Sequence, residues 1–77
     1  MKAQRSRYWI ERSAGFSVES RAGRIGTVEE TPVGAGGRVE ILVVRMRNSG
    51  LVIVPVQRVE TVLHHERRIF LTELESV

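Results

Sequence analysis

The stretch Leu51-Val-Ile-Val-Pro-Val56 decides how this chain is read. Six apolar residues stand in a row, four of them β-branched. Such side chains are restricted in a helix and pack well on the pleated surface of a strand. A second apolar run, Val39 to Met46, precedes it, and Arg47-Asn-Ser-Gly50 lies between the two. Asn and Gly suit the left-handed positions of a tight turn. Residues 39–54 therefore read as a β-hairpin. Pro55 has no N–H, so it ends the ladder or lies on a sheet edge.

Side chains alternate across a strand. Leu51 and Ile53 point one way, Val52 and Val54 the other, and Leu42 and Val44 oppose Ile41 and Val43 in the same sense. Both faces of the hairpin are apolar. One face is core, and the other needs a cover. Leaving four such side chains in water costs roughly 1.5–3 kcal/mol each, which rivals the whole stability of a small domain. The cover is the N-terminal Tyr8-Trp-Ile10 segment, a second subunit or a partner protein. The expected interface residues are Tyr8, Trp9, Ile10, Leu42, Val44, Val52, Val54 and Val56, and a homodimer is expected.

Working outward, Phe16 to Glu19 alternates as a half-buried strand does. Ser20-Arg-Ala-Gly23 is a hairpin-like turn, with Gly23 free to take positive φ. Arg24 to Glu30 is a second strand, in which Gly26 marks a bulge or a close backbone crossing. Thr31 to Gly37, with Pro32 and three glycines, is a loop. A phosphate-cradling role for Gly34–Gly37 would need a helix behind the glycines, and a β-branched run follows instead. Val56 to Val59 is a 3₁₀ turn or corner. Val59, Thr61 and Leu63 lie on one side of the next strand, with Glu60, Val62 and His64 on the other. His65-Glu-Arg67 is a turn, Arg68 to Thr72 is the last strand, and Glu73 to Val77 frays. That makes about six short strands and no convincing helix, the pattern of a small closed or nearly closed β-barrel.

Seventy-seven residues make one domain near the lower size limit of a self-sufficient core. No cysteine is available for a disulfide or a thiolate metal site. No run approaches the roughly 18 apolar residues of a membrane span, and a cytoplasmic protein is expected. The net charge of +3 is unevenly placed. Lys2, Arg5, Arg7 and Arg12 stand against Glu11 in the first twelve residues, whereas the remainder holds eight Arg and eight Glu. The organisation expected is a flexible basic arm over 1–7 and a single β-barrel domain over 8–77. A nucleic-acid surface would use the arm, or a patch joining Arg5, Arg7 and Arg12 to Arg45 and Arg47, which share a face of the third strand. Nucleic acid is the less favoured partner, because the body of the domain is neutral.

Catalytic machinery is not in evidence. The chain has no Asp and no Cys, and no Ser stands in a recognisable triad motif. His64 and His65 are adjacent, so on a strand they face opposite sides and cannot chelate one ion together. No nucleophile, base and oxyanion-donor set is present. No enzyme activity, cofactor or metal is expected.

Val18-Glu-Ser-Arg-Ala-Gly-Arg-Ile-Gly-Thr-Val-Glu-Glu30 resembles the opening hairpin of PRC-barrel domains. Val39 to Arg45 is similar to their second hydrophobic strand. Leu51-Val-Ile-Val-Pro-Val56 followed by Val59 is similar to their Val-Pro-x-x-x-Val element, and Arg68 to Leu71 to their closing strand. The resemblance covers residues 16–72 in order; the Gly34–Gly37 loop and the aromatic N-terminal segment depart from it. It implies an all-β, six-stranded PRC-type barrel without catalytic residues. Relatives occur in the cytoplasmic part of the photosynthetic reaction centre H subunit, in the C-terminal part of the ribosome-maturation factor, and as stand-alone proteins, and their shared theme is protein docking. The function expected is a stand-alone adaptor or assembly module, with a small RNA- or ribosome-associated binder using the arginine arm as the alternative. A ligand-binding barrel with the glycine loop as lid is a third and weaker reading.

Overall fold

Short runs of β-branched residues separated by turn formers produce six strands in a computed structural model, which describes residues 7–72. One helical turn, α1 (Arg7–Ile10), precedes β1 (Ser17–Ser20), β2 (Gly23–Glu30), β3 (Ile41–Met46), β4 (Leu51–Pro55), β5 (Val59–Leu63) and β6 (Arg68–Leu71). Two 3₁₀ turns flank β5, at Val56–Arg58 and His64–Glu66. The strands form one sheet in the order β4-β3-β2-β1-β6-β5. Neighbours are antiparallel except β1 and β6, which run parallel.

The sheet curls into a half-barrel. Its two end strands, β4 and β5, are joined by the Val56–Arg58 turn but do not pair with each other. The expectation of a barrel thus holds as a curled six-stranded β-sheet, and closure is not observed. Pro55 contributes to this opening. It stands in an extended conformation at the end of β4, and the 3₁₀ turn that follows steers the chain off the ladder. The core fills the concave side. Leu42, Ile69, Val18, Val28, Val44 and Val59 are among its fully buried members.

Three bulges set which side chains face that core. In β2, Ile25 is the extra residue opposite β1, and Glu29 is the extra residue opposite β3. In β5, Val59 pairs with Leu71 and Thr61 with Phe70, which leaves Glu60 over. A bulge inserts one residue and resets alternation beyond it. The split of β5 into Val59, Thr61 and Leu63 against Val62 therefore does not hold: Val59 and Val62 are both buried.

Other boundaries differ in detail. β3 begins at Ile41, because Val39 pairs instead with Val33 in an isolated bridge across the glycine loop. In the β3–β4 turn the left-handed residue is Ser49 (φ 74°), not Asn48 or Gly50; the Asn48 side chain accepts the Gly50 N–H at 2.9 Å. Gly23 does take positive φ (119°). Gly26 sits where a Cβ would collide with the Arg45 carbonyl of β3, as a close backbone approach requires. His64 and His65 lie on a 3₁₀ turn rather than a strand, and Arg67 closes that turn in the left-handed region (φ 56°).

Helix is confined among the described residues to the single four-residue turn α1 and the two 3₁₀ turns; the last carbonyl of α1, that of Ile10, is capped by the buried Ser13 hydroxyl at 2.8 Å. Arg7 belongs to this helix, and its guanidinium donates to the Val39 carbonyl at 2.8 Å. The folded body thus includes Arg7, which was expected in the arm. The rest of that arm, with Arg5, and the segment Glu73 to Val77, which was expected to fray, lie outside the described residues.

Candidate docking surface

The geometry of β4 follows from its hydrogen bonds to β3. The Met46 N–H donates to the Gly50 carbonyl at 2.7 Å and the Val56 N–H to the Glu40 carbonyl at 3.0 Å. Leu42 and Val44 pair with Val54 and Val52 in the same register. In an antiparallel ladder, bonded pairs alternate with non-bonded ones. The even-numbered residues of β4 therefore turn their backbone toward β3. Leu51 and Ile53 turn both N–H and C=O away, along the outer edge of the sheet, and Pro55 offers only its carbonyl there.

The same residues carry exposed apolar side chains. Leu51 is 56% exposed, Val52 38% and Ile53 59%. On the convex face Ile53 stands opposite Val43 and Leu51 opposite Arg45, with half-buried Ile41 alongside Pro55. The extensive packing of β4 among the described residues is against β3 alone. The result is a neutral, apolar strip with an open backbone edge.

This corrects the expected interface. Ile10, Leu42, Val44, Val54 and Val56 are buried in the core of this chain. Of the eight residues named from sequence, Val52, Tyr8 and the half-buried Trp9 remain accessible. The residues missed are Leu51 and Ile53, flanked by Ile41 and Val43. The parity of the hairpin carried the signal. Arg45 and Arg47 share the odd-numbered face with Ile41 and Val43, and a face that ends in two arginines is the one that meets water.

The N-terminal aromatic residues build a second surface feature. Trp9 stacks on His64 with ring centroids 4.1 Å apart and planes 2° from parallel. Tyr8 meets Trp9 edge-on at 4.9 Å, and His65 leans on His64 at 4.1 Å. The Arg12 guanidinium lies 3.9 Å above the Tyr8 ring and donates to the Tyr8 carbonyl at 3.1 Å. Aromatic pairs of this geometry are worth roughly 0.5–1.5 kcal/mol beyond their burial. The ladder anchors α1 over the His64–Glu66 turn and Ile10 in the core. The aromatic segment accordingly covers one end of the core and does not reach across the β3–β4 hairpin.

Of the candidate nucleic-acid residues, Arg45 and Arg47 line one shallow cleft with Arg24 and Glu29, Arg7 and Arg12 lie in and just after α1, and Arg5 lies outside the described residues. Arg45 donates to Glu29 at 2.8 Å, and Arg7 and Arg12 are engaged with backbone carbonyls as described. Arg47 is exposed in the β3–β4 turn. The hydrogen bond from Arg45, with its charge, holds the Glu29 carboxyl below the usual carboxylate range. A second pair ties β1 to β6. Arg68 donates to both Glu19 oxygens, at 3.1 and 3.0 Å, and to Glu66 at 2.6 Å. Arg68, mainly by hydrogen bonding, likewise holds the Glu19 carboxyl below its ordinary value.

Among the described residues, shallow clefts of about 240–320 Å³ are lined by mixed polar and apolar residues. They fall at or below the small end of ligand pockets. The glycine loop borders one of them at Gly37, and Thr31 ties it to the Glu11 carbonyl at 3.2 Å. No group of three His, Cys, Asp or Glu side chains able to hold a metal occurs among the described residues, and no helix there is long and apolar enough to cross a membrane. No protein-family model, curated protein or solved structure matches the chain.

Proposed function

We propose that this protein is a non-catalytic, cytoplasmic assembly module of PRC-barrel type that docks a protein along β4. One observation carries the reading: three consecutive apolar residues, Leu51, Val52 and Ile53, stand exposed on a strand whose outer backbone no described strand pairs. Exposed edges of this kind recruit strands unless charge, proline or a covering element blunts them. Main-chain pairing supplies affinity there, and alternate side chains supply specificity. The PRC assignment is supported by the order of the sequence elements and by the six-stranded curled sheet. The neutral strip favours an apolar protein surface over a phosphate backbone.

A photo-crosslinker at Ile53 identifies the partner in cells, and the purified pair is then reconstituted. Leu51→Lys/Ile53→Lys is expected to weaken that complex at least about tenfold while the melting temperature holds, as expected for exposed positions. Unchanged affinity contradicts the proposal. Salt-steep RNA binding that survives the double substitution favours the arginine-based alternative instead.

A further inference from the structure

Resting on that reading of β4, we infer that the strand pairs antiparallel with β4 of a second copy of this chain, with Val52 on the two-fold axis. The two ends of the sheet differ in how they are protected. β5 carries a bulge at Glu60, exposes that charge, and is bounded by 3₁₀ turns on both sides. These are devices that blunt an edge. In β4 the blunting features stand only at the end of the strand, where Pro55 leads into the Val56–Arg58 turn; Leu51 to Val54 before it is unbulged against β3 and carries no charge.

The strand is complementary to itself in one register. With Val52 opposite Val52 of the second copy, Leu51 of each chain exchanges two main-chain hydrogen bonds with Ile53 of the other. Every outward N–H and C=O of Leu51 and Ile53 is then satisfied. Sliding two residues in one direction sets Pro55 opposite Leu51, and the missing proline donor leaves both Leu51 carbonyls unpaired. Sliding in the other direction sets Ser49 opposite Ile53, but Ser49 is left-handed and its N–H already serves the Met46 carbonyl at 2.9 Å. Pro55 and the turn thus bracket the register from both ends.

Charge is compatible with this arrangement. No charged residue lies within the paired strand, so no like charges face each other across the axis. Arg45, beside Leu51, is already matched by Glu29. On the convex face Val43, Ile53 and Leu51 of the second copy form a continuous apolar row. Such an isologous contact closes on itself and does not propagate. The area is small. A strand edge of this length covers less than the about 800 Å² per partner of a stable interface, so the dimer forms in the micromolar range of concentration.

The chain has no cysteine, so a single Val52→Cys gives an unambiguous crosslink. Residues on the axis form a non-hydrogen-bonded pair, whose Cα separation of about 4.5 Å accepts a disulfide. Sedimentation equilibrium of the full chain is expected to show one chain rising to two between about 1 µM and 1 mM. Val52→Cys is expected to oxidise to a covalent dimer at least about tenfold faster than Val43→Cys, which lies on the convex face of the same hairpin. A single-chain mass throughout that range overturns the inference, as does faster crosslinking at Val43. A monomer whose reconstituted partner is still lost on Leu51→Lys/Ile53→Lys overturns the self-pairing and leaves the docking function standing.

Discussion

Gly26 shows how little freedom one position has when two strands approach closely. A methyl group there meets the Arg45 carbonyl of β3, a backbone atom with nowhere to move. Gly26→Ala is expected to cost about 2–3 kcal/mol, read from urea denaturation, through forced separation of β2 and β3. A change below 0.5 kcal/mol, the ordinary range of surface substitutions, contradicts this placement. The Glu19–Arg68 pair makes a different residue-scale prediction. A carboxyl whose folded pKa is depressed adds stability above its unfolded pKa, and that stability is lost as pH falls through the folded value. Wild-type melting temperature is therefore expected to decline below about pH 4.5, and Glu19→Gln to shrink that acid-side loss. Identical acid limbs in the two proteins would show that the pair does not stabilise the fold. The close approach of Gly26 was legible, because glycine within an apolar strand is costly without such a reason. The Glu19–Arg68 pair was not, because it joins residues 49 apart through a parallel pairing that no local pattern announces.

At the scale of the element, alternation along the β3–β4 hairpin separates residues that look alike in sequence. Leu42 is fully buried and Ile53 is mostly exposed, though both are branched aliphatics in apolar runs. Leu42→Ala is expected to destabilise by about 2–5 kcal/mol, whereas Ile53→Thr stays within about 0.5 kcal/mol. Thermal melts of the two variants check this, and similar costs would show that something covers Ile53 within the chain. The hairpin itself was plain in the sequence, since two β-branched runs enclose a turn-forming tetrapeptide. Which face was core was also written there, in the arginines at 45 and 47 on the odd-numbered side. In β5 that reasoning does not suffice. A bulge at Glu60 brings Val59 and Val62 to the same side, and a bulge leaves no mark in the residue types around it.

For the whole molecule, six strands and their order along the chain follow from turn formers spaced through the sequence. The opening of the sheet does not. Whether β4 meets β5 depends on how far the sheet curls and how the Pro55–Arg58 corner turns, which are properties of the assembled structure. The proposed docking surface depends on that opening, because a closed barrel has no edge to offer. Hydrogen exchange of the β4 amides, labelled at or below about 1 µM where the chain is a single copy and read residue by residue by mass spectrometry with electron-transfer fragmentation, tests this most directly. Val52 and Val54, whose N–H groups face β3, are expected to exchange slowly, and Leu51 and Ile53 fast, in strict alternation along one strand. Equal protection of all four amides in the isolated chain would mean that the edge is already covered, and it would contradict the account.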